Sequence, residues 1–208
     1  MGYMLENFGR ASEQKIMREA MSQAGVVLKE AKTELTRMRK NSNYVCDGYV
    51  EWFGARTDAN VKYLYEAILT MEFAVNSTTV KLRRTFGNAA VAEALPPGSG
   101  WANKSVKQIV EANQFAMQLY DPFFVAYTED RGGKFGPIKT FVHEMSHIVA
   151  ETNEPIGTYP EVYGKILCRA LAINNPVHAA HNADTWGYFC ISFLEAQELL
   201  GAVGQMFG

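Results

Sequence analysis

A regular stripe of apolar residues near the N-terminus restricts the fold of this chain more than any other feature. Apolar side chains recur at alternating spacings of four and three residues, with lysine and glutamate between them. This period places them on one face of a helix, and we predict that helix over residues 12–39. Alanine and methionine specify coiled-coil partners poorly, so the helix is expected to pack on its own domain. The stripe consists of Met17, Met21, Ala24, Leu28, Ala31, Leu35 and Met38.

Local patterns predict three further elements. Asp58 can cap a second helix and Asn103 a third, and the third would run through Met117. The short aromatic and β-branched run at residues 123–127 follows a proline and predicts a strand at a sheet edge. Together these elements predict a mainly helical α+β fold. The apolar face of the second helix consists of Val61, Leu64, Tyr65 and Ile68.

The strongest break in the sequence is the run of prolines and glycines at residues 96–100. Such a run ends regular structure, but it is short enough to be a turn rather than a linker between domains. We therefore predict a single domain over residues 1–208. It would consist of a helical N-terminal part, residues 1–95, and a part with the candidate catalytic residues, residues 101–208.

Composition excludes several classes of protein. The 208 residues are 48% hydrophobic and have a formal net charge of −2, whereas a nucleic-acid-binding protein would show a basic surplus. The sequence has no run of 18 apolar residues, which a membrane span would require. Residues 1–10 lack the apolar segment of a signal peptide, so we expect a cytoplasmic protein or one exported without such a signal, such as a secreted effector or toxin. The sparse cysteines, Cys46, Cys168 and Cys190, predict free thiols.

The candidate site is the sequence His-Glu-Met-Ser-His at residues 143–147, on a helix predicted to open at Gly136 and Pro137. Histidines four residues apart share one face of a helix, here the face opposite its apolar side. Both imidazoles can then reach one Zn²⁺ at about 2.0–2.1 Å, which leaves positions for a third ligand and a water. His143 and His147 are thus predicted zinc ligands, and Glu144 is the base that takes a proton from that water.

The other two histidines give a weaker signal. His178 and His181 are three residues apart and could form a second metal site. Histidines in this setting are more commonly exposed or helix-capping, and we predict that role for both.

The C-terminal third resembles the aspzincin metalloendopeptidases, which include the deuterolysins and the peptidyl-Lys metalloendopeptidases. Three segments follow in the same order: the His-Glu-x-x-His motif, a Gly-Thr pair before Tyr163 and Gly164, and Asn-Ala-Asp ending at Asp184 before a Tyr-Phe pair. The resemblance implies a zincin-like fold with a small sheet beside the histidine helix, zinc as the cofactor, and protein or peptide substrates. It also implies that Tyr163 is the tyrosine that stabilises the transition-state oxyanion.

The resemblance leaves the third zinc ligand open. The family's aspartate is missing, because Pro160 stands three residues before Tyr163. Glu154 or, alternatively, Glu161 can supply a carboxylate oxygen at about 2.0–2.2 Å from the metal.

Asp184 matches a family aspartate that helps to form an acidic pocket for a substrate lysine. The companion glutamate would fall at Gly187, which argues against a strict lysine preference. The resemblance therefore implies that Asp184 binds substrate, and a helix N-cap is the alternative role.

These residues predict an enzyme, a zinc-dependent endopeptidase in which Glu144 activates a water at the metal. Two alternatives remain. One is a zincin-like binding module that has lost catalysis together with the missing aspartate. The other is a zinc amidase that acts on cell-wall peptides.

Overall fold

The computed structural model describes residues 2–77, 79–95, 108, 115–125, 127–150, 152 and 160–207. The fold of these residues is mainly helical with a small sheet, as predicted. The helices are α1 (Ala11–Lys40), α2 (Asp47–Phe53), α3 (Asp58–Ser77), α4 (Gly136–Ala150), α5 (Lys165–Asn174), α6 (Pro176–Ala180) and α7 (Ala183–Phe207). The strands are β1 (Gly2–Glu6), β2 (Thr79–Arg84), β3 (Ala92–Leu95) and β4 (Ala116–Leu119).

The four strands form one mixed sheet in the order β1-β2-β4-β3. Strands β1, β2 and β4 are parallel, whereas β3 runs antiparallel to β4 at the edge of the sheet. The backbone N–H of Ala94 in β3 donates a hydrogen bond to Glu144 in α4. The edge strand β3 therefore lies directly beside the helix of the candidate site.

The long helix α1 forms one wall of the core, as its apolar stripe predicts. Every residue of that stripe is fully buried, and the helix packs against α3, α4 and α7. The helix α4 in turn packs most extensively against α7. These contacts place the candidate site between α4, the start of α7 and the edge strand.

Aromatic side chains join α2 to α7. The stretch that contains Tyr49, Trp52 and Phe53 forms the short helix α2, and these three side chains are buried. The Trp52 ring stacks on the Tyr188 ring with centroids 4.9 Å apart. This packing fixes the first turns of α7, where Asp184 is located.

One predicted element is wrong in this structure, and a second is wrong at its end. The described residues of the segment 123–127 do not form a strand, because Asp121–Phe124 is a 3-10 turn in which Phe123 is buried and Phe124 packs edge-on against Phe8. The predicted third helix lies outside the described residues for most of its length, where it stays a prediction; Gln108 within it is helical, but its last residue, Met117, belongs to strand β4. At Phe123 and Met117 the apolar side chain marks burial in the core rather than the predicted type of element.

The start of α3 also differs from the prediction. Asp58 is the first residue of the helix rather than its cap, and its carboxylate pairs with Arg56. The hydroxyl of Thr57 accepts the backbone N–H of Asn60 at 3.1 Å, which is the geometry of an N-cap. The helix and its apolar face are otherwise as predicted, with Val61, Leu64 and Ile68 buried.

Three further predictions concern the whole chain. The three cysteines are free and buried, as expected. Residues 96–100 lie outside the described residues, so the single-domain organisation stays a prediction. Among the described helices, none combines the length and the apolar composition that a membrane span requires.

Candidate metal centre

The two histidines of the candidate site lie one turn apart on α4, at the floor of a cleft of about 790 Å³. The helix is buried on nearly all sides, and His143 is only 6% exposed. The two side chains are therefore not an exposed surface pair, although they share a face as their spacing predicts. Each ring is held by a partner on another segment of the chain.

Asp184 holds the His143 ring. Its Oδ1 lies 2.9 Å from His143 Nδ1, and its Oδ2 accepts the backbone N–H of Gly164 at 2.8 Å. An ionised carboxylate can only accept, so Nδ1 of His143 carries a proton. In a neutral imidazole of this tautomer, Nε2 has the lone pair that a metal ion requires.

A chain of hydroxyl groups holds the His147 ring. Nδ1 of His147 lies 2.8 Å from Oγ1 of Thr152, which lies 3.0 Å from Oγ of Ser146. Ser146 donates its own proton to the carbonyl of His143 at 2.7 Å. Thr152 must therefore donate to Ser146 and accept from His147 Nδ1, and Nε2 of His147 also has a lone pair.

The two Nε2 atoms face each other at 3.1 Å. Two acceptor nitrogens at this distance repel each other unless a cation lies between them. Nitrogens that bind one tetrahedral zinc at about 2.0–2.1 Å lie roughly 3.3 Å apart, so the spacing suits a shared ion. Burial, together with the neighbouring His143, lowers the pKa of His147 to about 3, which keeps this ring in the neutral form that binds metals.

Glu144 is buried beside the two rings. Its Oε2 accepts the N–H of Ala94 at 2.6 Å, and its Oε1 lies 3.9 Å from His143 Nε2. Potential ligand atoms of His143, Glu144 and His147 all lie within 4.8 Å of one another. Burial raises the pKa of the Glu144 carboxyl above its ordinary value.

Glu161 brings a second carboxylate to the same place. Its Oε1 lies 3.7 Å from His143 Nε2. This atom is buried, and nothing among the described residues donates a hydrogen bond to it. A buried carboxylate oxygen without a partner is costly, and a metal ion would supply the missing partner. The donor set of two imidazoles and one carboxylate therefore fits zinc.

Tyr163 lies across the cleft from α4. Its hydroxyl donates to Glu161 Oε2 at 2.6 Å, and its ring stacks on the His143 ring with centroids 5.8 Å apart. Burial and this hydrogen bond raise the pKa of Tyr163 above its ordinary value, so the phenol stays protonated at neutral pH.

The segment with Glu161 and Tyr163 is clamped from the start of α7. The Asn182 side chain accepts the N–H of Val162 at 2.8 Å and donates to its carbonyl at 3.1 Å. The next turn requires glycine, because Gly164 has φ of +92° and a Cβ there would lie 2.6 Å from an Asp130 oxygen. Asn182 therefore joins the Asn-Ala-Asp motif to the segment that contains Tyr163 and Gly164.

Two predicted site residues remain, Glu154 and Asp184. Glu154 lies outside the described residues. Asp184 is 1% exposed and belongs to the first turn of α7. Its binding partners lower its pKa, since the hydrogen bond from His143 and the charge of Lys139 outweigh the effect of burial. This environment differs from the open acidic pocket that the resemblance implies.

The prediction that His178 and His181 are exposed or capping is confirmed for His181 and wrong for His178. His181 is the C-cap residue of α6, whereas His178 is 6% exposed and Asn175 caps the start of this helix. The His181 ring stacks on Tyr63 with centroids 4.8 Å apart. Both histidines are packed within the fold, beyond what a local sequence pattern can indicate.

Replacing Thr152 by valine is expected to weaken zinc binding by roughly 10–100-fold, the usual effect of losing a partner that orients a ligand. Valine has nearly the same shape but cannot accept the His147 Nδ1 proton. Competition with a zinc-binding dye would measure the dissociation constant. Thr152→Ser keeps the hydroxyl and should bind zinc nearly as the wild type does. Wild-type affinity in the valine variant would contradict the assigned hydrogen-bond chain.

A buried pair of histidines with an acid between them, in a cleft bordered by an edge strand, defines a metallohydrolase type of site. A family model described as lysine-specific metallo-endopeptidase, that of the aspzincins, matches residues 38–191. The chain belongs to the aspzincin family, as its resemblance to that family predicts. Zinc is the metal of this family.

Two relatives support this placement. The peptidyl-Lys metalloendopeptidase of Pleurotus ostreatus is 40% identical over 65 residues, which cover 31% of this chain and 33% of that protein. The match thus spans about a third of that relative's length. The structure of a zinc peptidase from Grifola frondosa is 23% identical, with a TM-score of 0.64 over 87% of this chain and 95% of that chain. The second comparison shows the shared fold.

Proposed function

We propose that the chain is a zinc-dependent endopeptidase that cleaves peptide bonds in the cleft between α4 and the segment of Tyr163. The observation behind this proposal is the pair of Nε2 atoms, 3.1 Å apart, on two rings whose Nδ1 atoms are each held by another residue. Membership of the aspzincin family supports the same activity.

The metal would be held by His143 and His147, with a glutamate as third ligand. We choose Glu161 rather than Glu154, the first choice from sequence. The position of Glu161 next to the rings and its unsatisfied buried oxygen support this choice. A carboxylate oxygen can replace the family's aspartate whichever side chain it belongs to. Glu161 immediately follows Pro160, so the carboxylate is displaced by only one residue.

Proton transfer would fall to Glu144. When bound, zinc lowers the pKa of a coordinated water to about 7 and polarises a carbonyl. One Glu144 oxygen is fixed by the Ala94 N–H, which leaves Oε1 to accept the proton of the attacking water. As the new carbon–oxygen bond forms and the carbon–nitrogen bond breaks, Glu144 passes this proton to the leaving amine.

Tyr163 would stabilise the transition state. This residue is 58% exposed at the cleft, so its side chain can turn from Glu161 towards a substrate carbonyl without disturbing the core. A phenol that donates a hydrogen bond to the developing oxyanion lowers the barrier. Its bond to Glu161 connects the proposed oxyanion donor with the proposed third ligand.

The strand β3 would align the substrate. It pairs with β4 along one side and, among the described strands, forms the edge of the sheet on the other, and residues 89–94 line the cleft. An extended peptide can add to such an edge through backbone hydrogen bonds.

Digestion of a denatured protein by the purified chain tests the proposal. We expect cleavage that stops on removal of zinc with a chelator and returns when zinc is added. Cleavage of peptidoglycan alone would instead support the amidase, and zinc binding without cleavage of any peptide would support the binding module. Either of these outcomes would overturn the proposal.

A further inference from the structure

A lysine of the protein itself lies inside the candidate cleft. Lys139 is on α4, one turn before His143, and is only 7% exposed. Its ammonium group forms an ion pair with the carboxylate of Asp184, which is 1% exposed. The pair lines the same cleft as the histidines. A buried lysine at this place is unexpected unless its charge is compensated.

The start of α7 is shaped around this side chain. A Cβ at Gly187 would lie 2.8 Å from Cγ of Lys139 and 2.8 Å from its carbonyl oxygen. The Lys139 ammonium lies 4.9 Å from the centre of the Tyr188 ring, within the range of a cation–π contact. The absence of a side chain at Gly187 therefore lets Lys139 lie against α7 and reach Asp184.

No carboxylate deep in the described part of the cleft is left for a substrate ammonium group. Oδ1 of Asp184 binds Lys139 and His143, and its Oδ2 binds Gly164. One carboxylate oxygen of Glu144 and one of Glu161 face Nε2 of His143, at the proposed metal site.

The other acids of the cleft wall are at its rim. Glu93 accepts a hydrogen bond from Tyr120, and Asp130 is exposed to solvent. Removing a lysine ammonium from water is costly unless a buried carboxylate compensates it, and an exposed acid compensates it only weakly.

Provided that the chain is the endopeptidase proposed above, we propose that Lys139 occupies its acidic pocket as an internal lysine. The filled pocket then offers no carboxylate to a substrate ammonium group, and the enzyme cleaves without a preference for lysine. In this respect it would differ from the relative that is named for peptidyl-lysine. Lys139 acts here as a specificity-determining residue, because it neutralises the carboxylate that a substrate lysine would need.

Cleavage of a peptide library by the wild type and by Lys139→Met tests this inference. Methionine keeps the aliphatic stem but removes the charge. The readout is the ratio of kcat/KM for lysine-containing and lysine-free sites within each protein, so a general loss of activity cancels. We expect a ratio near one for the wild type and an increase of roughly 10–100-fold in Lys139→Met.

Lys134→Met is the matched control, since Lys134 is exposed and pairs with Glu198 at the surface. Its ratio should equal that of the wild type. A wild type that cleaves only beside lysine would overturn the inference while supporting the proposed function. An unchanged ratio in a folded Lys139→Met would overturn the inference as well. A wild type that cleaves no peptide would overturn both.

Discussion

Replacement of Glu144 by glutamine is expected to abolish peptide hydrolysis and leave zinc binding intact. Glutamine keeps the hydrogen bond from the Ala94 N–H but cannot take a proton from water. Loss of a general base costs roughly 10²–10⁴-fold in rate, and kcat/KM on a fluorogenic peptide measures it. Elemental analysis should find the same zinc content as in the wild type, because the two histidines remain.

Glu66→Gln is a suitable control for this variant. Glu66 is an exposed carboxylate on α3 that pairs with Lys62, so its loss should change neither activity nor zinc content. Activity of Glu144→Gln within a few-fold of the wild type would show that another group takes the proton. Loss of zinc from Glu144→Gln would instead show that Glu144 is a ligand.

The second large effect is expected from Glu161→Ala, which should lose zinc and, with it, activity. The proposed third ligand is one of three, so its removal should weaken zinc binding by more than the roughly 10–100-fold typical of groups that only orient a ligand. Zinc content after dialysis and the dissociation constant measure this loss.

Glu154→Ala is the matched variant, because it removes the same side chain at the other candidate position. We expect it to retain zinc. Loss of zinc from Glu154→Ala alone would assign the ligand to Glu154, and retention in both variants would show that neither glutamate binds the metal. A circular dichroism spectrum of each variant would separate loss of ligand from loss of fold.

The parts of the fold that were predictable depend on local periodicity. The stripe of α1 repeats over many turns, and its burial follows from the sequence. The helix of the candidate site is also predictable, since its opening at Gly136 and Pro137 agrees with the structure, which starts α4 at Gly136. Short apolar runs hold too few repeats to separate a strand from a turn, which explains the wrong prediction at residues 123–127.

The site was predictable only where its residues are close in sequence. The spacing of His143 and His147 fixes their common face through helix geometry alone. Their partners Asp184 and Thr152 reach the two rings only in the folded chain, Asp184 because α7 packs on α4 and Thr152 because of its position beyond the end of α4. No rule of sequence spacing predicts these contacts. Asn182 belongs to the Asn-Ala-Asp motif, two residues before Asp184, but its clamp on Val162 depends on the tertiary fold.

Lys139 illustrates the same limit. Its position on α4, one turn before His143, was visible in the sequence, but a lysine at a helix surface is normally solvated. Its burial results from the close approach of α7 at Gly187. In the sequence, Gly187 stands only for the absence of a family glutamate. The structure shows that Lys139 fills the space beside Gly187.

A crystal structure with zinc, recorded at the zinc absorption edge, would test whether the two histidines share one metal ion. We expect one anomalous peak between the rings of His143 and His147, at about 2.0–2.1 Å from both Nε2 atoms. A map without such a peak, with the rings turned apart or hydrogen-bonded to each other, would contradict this expectation.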